Sequence, residues 1–98
     1  MKYDDSDYEQ VTGSDFHNFL IEKGISLNCP ACENDNVAIM ADAADGPVQT
    51  IFMTINSPPR LAGREVPFMS LTCRNCGFVR HFQAGNVLDW LKEESRNG

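Results

Sequence analysis

All four cysteines of this chain fall in two Cys-x-x-Cys pairs, Cys29 with Cys32 and Cys73 with Cys76, which 40 residues separate. Each pair can present two thiolates from one tight turn. Two such turns brought face to face complete a tetrahedral site with Zn–S bonds of about 2.3 Å. A site closed by four sulfurs has no open position for water or substrate. The pattern therefore predicts one structural zinc ion and does not by itself indicate a function.

Disulfides, redox chemistry and an iron centre are the alternatives to zinc. The first seven residues are acidic and lack the basic and then apolar pattern of a signal peptide. We therefore expect a cytoplasmic protein, in which disulfides are not maintained. A redox pair is expected at a strand-to-helix turn, whereas no helical pattern follows Cys32. The spacing favours zinc over these alternatives.

The length of 98 residues fits one small domain with little room for a core. A metal compensates for a thin core, because metal-binding free energy becomes folding free energy when the unfolded chain has no preformed site. No apolar run approaches the roughly 20 residues of a membrane span. The sequence therefore predicts a metal-dependent fold without a membrane partner.

The net charge of −6 is unevenly distributed. Residues 1–45 carry ten acidic residues against Lys2 and Lys23, whereas residues 46–88 carry four arginines against Glu65 alone. The acidic part disfavours nonspecific attraction to nucleic-acid phosphates, while the second part can present a local basic face. A solvated surface of uneven composition explains both patches equally well.

The chain divides into an acidic tail and one domain. Residues 1–13 are polar and acidic without periodicity, which predicts a mobile tail. Residues 14–98 form the predicted domain, with a short helix first and a second helix over residues 86–94. The first helix is indicated by apolar residues at helical spacing and by Gly24, which suits its end. Asn86 is the predicted cap of the second helix.

Between the helices the pattern predicts strands. The apolar or alternating stretches cover residues 37–40, 48–55, 66–72 and 78–82. We therefore expect a small α+β fold, with a sheet of three to four antiparallel strands between an N-terminal and a C-terminal helix.

We call each Cys-x-x-Cys turn a knuckle. The order of a first knuckle, strands and a second knuckle that ends in Cys76-Gly77 resembles a zinc ribbon. More narrowly, it resembles small bacterial and phage-borne proteins with a short N-terminal helix, a Cys-Pro-x-Cys, a β-rich middle and a Cys-x-x-Cys-Gly. The resemblance covers residues 14–91 and implies the fold and a structural zinc ion, but no substrate. Gly77 fits the family pattern, whereas Glu33 departs from it, so the first knuckle is either looser or turns at Asn34. Zinc ribbons bind nucleic acid or other proteins in transcription and translation machinery.

No residue grouping indicates catalysis. His81 lies five residues beyond Cys76 and is interpreted as a structural or surface histidine, because four cysteines already complete the site. His17 is interpreted as a surface residue of the first helix. Neither a Gly-rich phosphate loop nor a Ser-His-Asp set is present. We therefore expect a protein that is not an enzyme and has no small-molecule substrate.

The long loop over residues 56–65 is the predicted interaction element. Loops of this length in compact domains are usually functional or disordered. A Pro-Pro pair stiffens it, and Arg60, Leu61 and Arg64 combine an apolar anchor with charge, as protein-binding surfaces do. The leading hypothesis is a noncatalytic protein-binding module, an adaptor or inhibitor, that uses this loop and the flanking helices.

Two other functions compete with protein binding. Arg64, Arg74 and Arg80, with Phe78 and Phe82 interleaved, are suited to single-stranded nucleic acid, although the phenylalanines fit a small core as well. A nucleic-acid-binding ribbon is therefore the second hypothesis. The third is an acidic inhibitor that mimics nucleic acid. Its candidate residues are Asp4, Asp5, Asp7, Glu9, Asp15 and Glu22.

Overall fold

Three α-helices and one antiparallel sheet make up the part of the chain that the structure, a computed structural model, describes, which is residues 3–41 and 46–97. The helices are α1 (Asp5–Tyr8), α2 (Gly13–Glu22) and α3 (Ala84–Asn97). The strands are β1 (Val37–Ile39), β2 (Ile51–Thr54), β3 (Glu65–Cys73) and β4 (Val79–Gln83). A 3₁₀ turn (Pro59–Leu61) lies between β2 and β3. The predicted small α+β class is confirmed.

β3 is the central strand of the sheet and pairs with the other three. Leu71 and Thr72 pair with both β1 and β4, so these two strands lie on opposite edges of β3. Phe68 pairs with both Ile51 of β2 and Gln83 of β4, so β2 also lies opposite β4. β1 and β2 therefore follow one another along the same edge of β3.

Helix α2 has a local signal at each end. Thr12 caps it, because its side chain accepts a hydrogen bond from the Asp15 amide while the Asp15 carboxylate accepts one from the Thr12 amide. Gly24 has a φ of +71° and ends the helix, as predicted. The Ile25 amide then donates to the carbonyl of Leu20 at 2.9 Å, which completes the C-terminal motif.

The segment before α2 is part of the fold, which corrects the prediction of a mobile tail over residues 1–13. It contains α1, and the side chains of Tyr8 and Val11 are 3% and 0% exposed. The Val48 amide donates to the Val11 carbonyl at 2.9 Å, so the segment also pairs with the chain that leads to β2. Two isolated apolar residues produce no periodicity, although each of them fills a site in the core. Met1 and Lys2 lie outside the described residues.

The helices pack on one face of the sheet and form the core with it. Phe16 of α2 meets Phe82 of β4 edge to face, with ring centroids 5.8 Å apart. Phe19 meets Trp90 of α3 at 5.9 Å, so the two helices also contact each other. α3 begins at Ala84, two residues before the predicted cap, because the chain passes directly from β4 into the helix. No helix within the described residues is long and apolar enough to cross a membrane.

The other face of the sheet has no helix packed on it within the described residues, and we call it the open face. Its members are the alternate strand residues that point away from the core cluster of helices and sheet. They are Ala38, Met40, Ile51, Met53, Val66, Phe68, Ser70, Thr72, Val79, His81 and Gln83.

Candidate metal centre

The sheet brings the two Cys-x-x-Cys knuckles together at one end. Cys29 and Cys32 lie in the connection from α2 to β1, whereas Cys73 ends β3 and Cys76 lies in the turn to β4. Val37 at the start of β1 is in register with Cys73. This pairing places the first knuckle beside the second and depends on contacts between residues far apart in the sequence.

The four cysteine sulfurs form one cluster. The Sγ atoms of Cys29 and Cys76 are 3.6 Å apart, as are those of Cys32 and Cys73, and all four lie within 4.8 Å of one another. Tetrahedral bonds of about 2.3 Å to one ion separate neighbouring sulfurs by about 3.8 Å. The cysteines are not paired as disulfides. Their arrangement therefore fits a single thiolate-bound metal ion, and the four predicted ligands are brought together.

Hydrogen bonds to two of the sulfurs favour their ionised form. Asn75 donates from Nδ2 to the Cys32 Sγ at 3.4 Å and, with the Asn34 amide, lowers the pKa of Cys32 to about 6. Burial opposes ionisation of Cys29, but the Cys32 and Ala31 amides outweigh it and lower the pKa of that thiol. Metal ions bind thiolates and not thiols, so these contacts prepare the sulfurs for a cation.

The surroundings of the fourth sulfur favour a cation at the centre of the cluster. The Phe78 amide acts to lower the pKa of Cys76, but burial and the three neighbouring cysteines outweigh it and raise that pKa to about 12. Four thiols this close together cannot all ionise to thiolates unless an opposite charge lies beside them. A divalent cation at the centre removes this repulsion, so the donor set and its electrostatics both fit a metal ion.

Both knuckles close with the same backbone turn. The Gly77 amide donates to the Cys73 carbonyl at 2.9 Å, and the Glu33 amide donates to the Cys29 carbonyl at 2.8 Å. Gly77 has a φ of +84° and Glu33 a φ of +64°, so each adopts the left-handed conformation. Glu33 itself therefore makes the turn that glycine makes in the second knuckle, and the first knuckle is neither looser nor turned at Asn34.

We expect Gly77→Ala to lower the free energy of unfolding by about 1–2 kcal/mol, because at this positive φ the Cβ of an L-residue comes too close to the following carbonyl oxygen. Beyond its own residue and the two chain neighbours, a Cβ at Gly77 meets no atom within 4 Å, so further crowding adds nothing. Gly85→Ala is the matched control: its Cβ also meets open space, but its φ is not positive. That control should be neutral or slightly stabilising. Urea unfolding of the metal-loaded variants measures both, and equal effects would contradict the turn argument.

Neither histidine belongs to the sulfur cluster. His81 lies on the open face, where its Nδ1 and the Ser70 Oγ share a hydrogen bond of 2.7 Å. Ser70 is fully buried, so this bond satisfies a polar group inside the sheet. His17 is exposed on α2.

The arginines predicted to bind a partner have different surroundings. Arg80 donates to the carbonyl oxygens of Ser26 and Leu27, at 2.7 and 3.3 Å, and so ties β4 to the segment that leads into the first knuckle. Arg60, Arg64 and Arg74 are exposed. No side-chain hydrogen bond or ion pair of these three is formed within the described residues. Arg80 therefore has a structural role, whereas the other three are available to a partner.

Some acidic side chains of the N-terminal part likewise have a structural role. The carboxylates of Asp4 and Asp7 form the capping box of α1, and that of Asp15 belongs to the cap of α2. Half of the acidic set considered for nucleic-acid mimicry thus stabilises helix ends.

The two phenylalanines considered for nucleic-acid binding differ in exposure. Phe82 packs against the core cluster, whereas Phe78, beside the second knuckle, is 43% exposed.

A groove of about 430 Å³ lies at the opposite end of β3 from the sulfur cluster. β4 pairs only with Phe68 and the residues after it, so in the described part of the chain one edge of β3 over residues 65–67 has no neighbouring strand. The groove follows this edge, between the loop after β2 and the start of α3. Its lining residues are Tyr3, Tyr8, Ile55, Leu61, Arg64, Glu65, Val66, Pro67, Gln83, Gly85, Asn86 and Asp89. The sequence pointed to Leu61 and Arg64, but it held no signal for the tyrosines, which belong to the segment predicted as a tail.

Comparison of the chain with protein-family profiles, with curated proteins and with solved structures found no match. Within the described residues, the sulfur cluster and the groove are the two features with the clearest chemistry.

Proposed function

We propose that this chain is a noncatalytic zinc ribbon that binds a protein partner at the groove beside β3. The observation that carries the proposal is the groove itself, which combines apolar side chains with an arginine that has no ion pair within the described residues. The metal centre holds the two knuckles together and has no position left for a substrate. The protein therefore acts as an adaptor or inhibitor by contact alone.

Zinc is the metal that the donor set favours. Four thiolates in a tetrahedral cluster are typical of structural zinc sites, and a closed site needs no redox activity of its metal. Free cysteines are maintained in a reducing compartment, which supports a cytoplasmic protein. The likeness to small bacterial and phage zinc-ribbon proteins is part of this proposal.

The groove offers what a protein partner uses for an anchor. Leu61 is half-buried at the end of the 3₁₀ turn, and Ile55 lies across the loop from it. Backbone hydrogen bonds from Ile55 to the Arg64 carbonyl and from Gly63 to the Ile55 carbonyl close the loop at 2.8 and 2.9 Å. The loop thus presents Leu61 and Arg64 from a hydrogen-bonded turn, and an apolar side chain of a partner can bury itself between Leu61 and the tyrosines.

We expect the triple variant Arg60→Ala, Leu61→Ala and Arg64→Ala to lose partner capture while it keeps its zinc. All three precede β3, whose nine residues separate them from Cys73 by about 30 Å of extended chain. Affinity capture from a bacterial lysate, with bound proteins quantified by mass spectrometry, measures the effect. Loss of at least about tenfold in a stoichiometric partner is expected, which corresponds to about 1.4 kcal/mol.

The control is a double variant, Ile21→Ala and Lys23→Ala. It removes an exposed apolar side chain from α2 and a cation from the residue that follows the helix, both outside the groove. This variant should capture the partner as the unmodified chain does. Undiminished capture by the triple variant, with zinc bound, would exclude the groove as the binding site.

A nucleic-acid-binding function is the second candidate, and the exposed pair of Arg74 and Phe78 supports it. Both lie at the second knuckle, so a cation and an aromatic face are offered side by side. The same capture experiment separates the two functions when half of the lysate is treated with nuclease. Capture that disappears with nuclease, and weakens steeply with salt, supports this candidate. Capture that survives nuclease supports the protein partner.

A further inference from the structure

The open face exposes apolar side chains that no described element covers. Met53 and Val79 are 39% and 38% exposed. Together with Ile51, Val66 and Phe68, they lie outside the core cluster that the helices cover. A sheet with helices on one face and apolar side chains on the other is expected to bury its second face against another layer.

The lack of charged side chains on the open face indicates which kind of partner can form that layer. It carries no Asp, Glu, Lys or Arg, and its only titratable side chain, His81, is hydrogen-bonded to Ser70. Nucleic acids and anionic membranes bind through cations, which this face lacks. Two copies of a chain with a net charge of −6 repel each other over most of their surfaces. The open face is where two copies can meet without opposing like charges.

The size of the face is sufficient for association of two copies. At about 3.3 Å per residue and about 4.8 Å per strand, the four strands together cover about 330 Å² of flat sheet. With the relief of the side chains, two such faces bury about 1,000 Å² in total, which is the size of weak, reversible protein interfaces. An interface of this size supports a reversible dimer.

We propose that the open face is the interface of a homodimer, in which two sheets pack face to face and the helices lie outside. Met53 and Val79 lie at diagonally opposite corners of the face, because β2 and β4 flank opposite edges of β3 and pair with opposite ends of it. A two-fold axis between the sheets can therefore set Met53 of one protomer against Val79 of its partner. Phe68 and His81, whose ring centroids are 5.8 Å apart, lie between the two corners.

Sedimentation equilibrium of the zinc-loaded protein tests this proposal. The mass should rise with concentration from 10.9 kDa to twice that value. The expected dissociation constant is about 1–100 μM, in keeping with a small apolar interface. Met53→Asp and Val79→Asp should each raise the dissociation constant by roughly 100-fold or more, because the symmetry buries two new carboxylates in an uncharged interface.

Ile21→Asp is the matched control. Ile21 is 56% exposed on α2, in the helix layer on the far side of the sheet, so its substitution adds the same charge outside the interface. Association of this variant should be unchanged. The triple variant of the groove should also dimerise normally, which separates this proposal from the proposed function.

A mass that stays at 10.9 kDa up to about 0.5 mM would overturn the proposal, since even weak specific interfaces associate at that concentration. Equal dissociation by Ile21→Asp and Met53→Asp would do the same. If both open-face variants fail to fold, NMR of the unmodified protein on dilution decides the question. The amide resonances of Val79 and His81 should then shift while those of α2 do not, and constant resonances would contradict the dimer. A face covered by an unrelated protein from the lysate, with no self-association, would also exclude it.

Discussion

Removal of the proposed zinc ion is expected to abolish the cooperative thermal unfolding transition of this protein. Structural zinc binds with an apparent free energy of about 10–16 kcal/mol at neutral pH. Domains of this size are stable by only about 5–15 kcal/mol in total, so the fold should not survive without the ion. Cys29 and Cys73 are buried where the first knuckle meets the end of β3, so four like-charged or protonated sulfurs without an ion between them would destabilise this junction. Circular dichroism and calorimetry before and after chelation measure the change.

A single substitution gives the same test without chelator. Cys73→Ser should lose stoichiometric zinc and most of the unfolding transition, because three sulfurs leave the tetrahedral site incomplete. His17→Ser is the control. Histidine is a common metal ligand, but His17 is exposed and lies outside the sulfur cluster. This variant should keep both zinc and stability. An unchanged melting temperature after complete removal of zinc would show that the packed core is sufficient for folding.

The second large effect is expected in the segment that precedes α2. Replacing Tyr8 and Val11 together by Ala should lower the free energy of unfolding by about 3–6 kcal/mol, because each buries its side chain almost completely. The Tyr8 ring also meets Phe52 edge to face, with centroids 6.4 Å apart. Chemical denaturation of the zinc-saturated protein, with the slope held constant, measures the loss.

The control for this effect lies between the two residues. Glu9 and Gln10 are exposed, so their replacement by Ala should change the free energy of unfolding by no more than about 0.5 kcal/mol each. A double Tyr8 and Val11 variant as stable as this control would mean that the segment does not pack on the core in solution. The contrast thus tests directly the point at which sequence and structure disagree.

Local signals explain which parts of the fold were predicted correctly. Helix α2 carries its own cap and its own terminating glycine, and strands β1 to β4 lie within or next to their predicted ranges. The clustering of the four cysteines was also predictable, since two cysteines on one turn favour a shared metal site whatever lies between the turns. The positive φ of Glu33 was not, because only the repeated turn geometry of the two knuckles shows that a non-glycine residue adopts it.

Long-range contacts explain the rest. Nothing in the sequence distinguishes Arg80 from the other arginines. Its hydrogen bonds to the Ser26 and Leu27 carbonyls connect residues more than 50 positions apart. The groove likewise joins Tyr3 and Tyr8 to the loop after β2. Neither arrangement has a periodic or spaced pattern from which it could be inferred.

By itself, the sequence determined which cysteines could hold a metal ion, the order of α2, the four strands and α3, and the alternation of side chains along each strand. These features depend on residue types a few positions apart, because turn, helix and strand geometry relate near neighbours. Only the tertiary structure decided which face of the sheet the helices cover, that the N-terminal segment packs on the core, and where the groove forms. Those outcomes depend on the burial of side chains distant in sequence, which compete for the same apolar surface and leave the open face as the one that no described element covers.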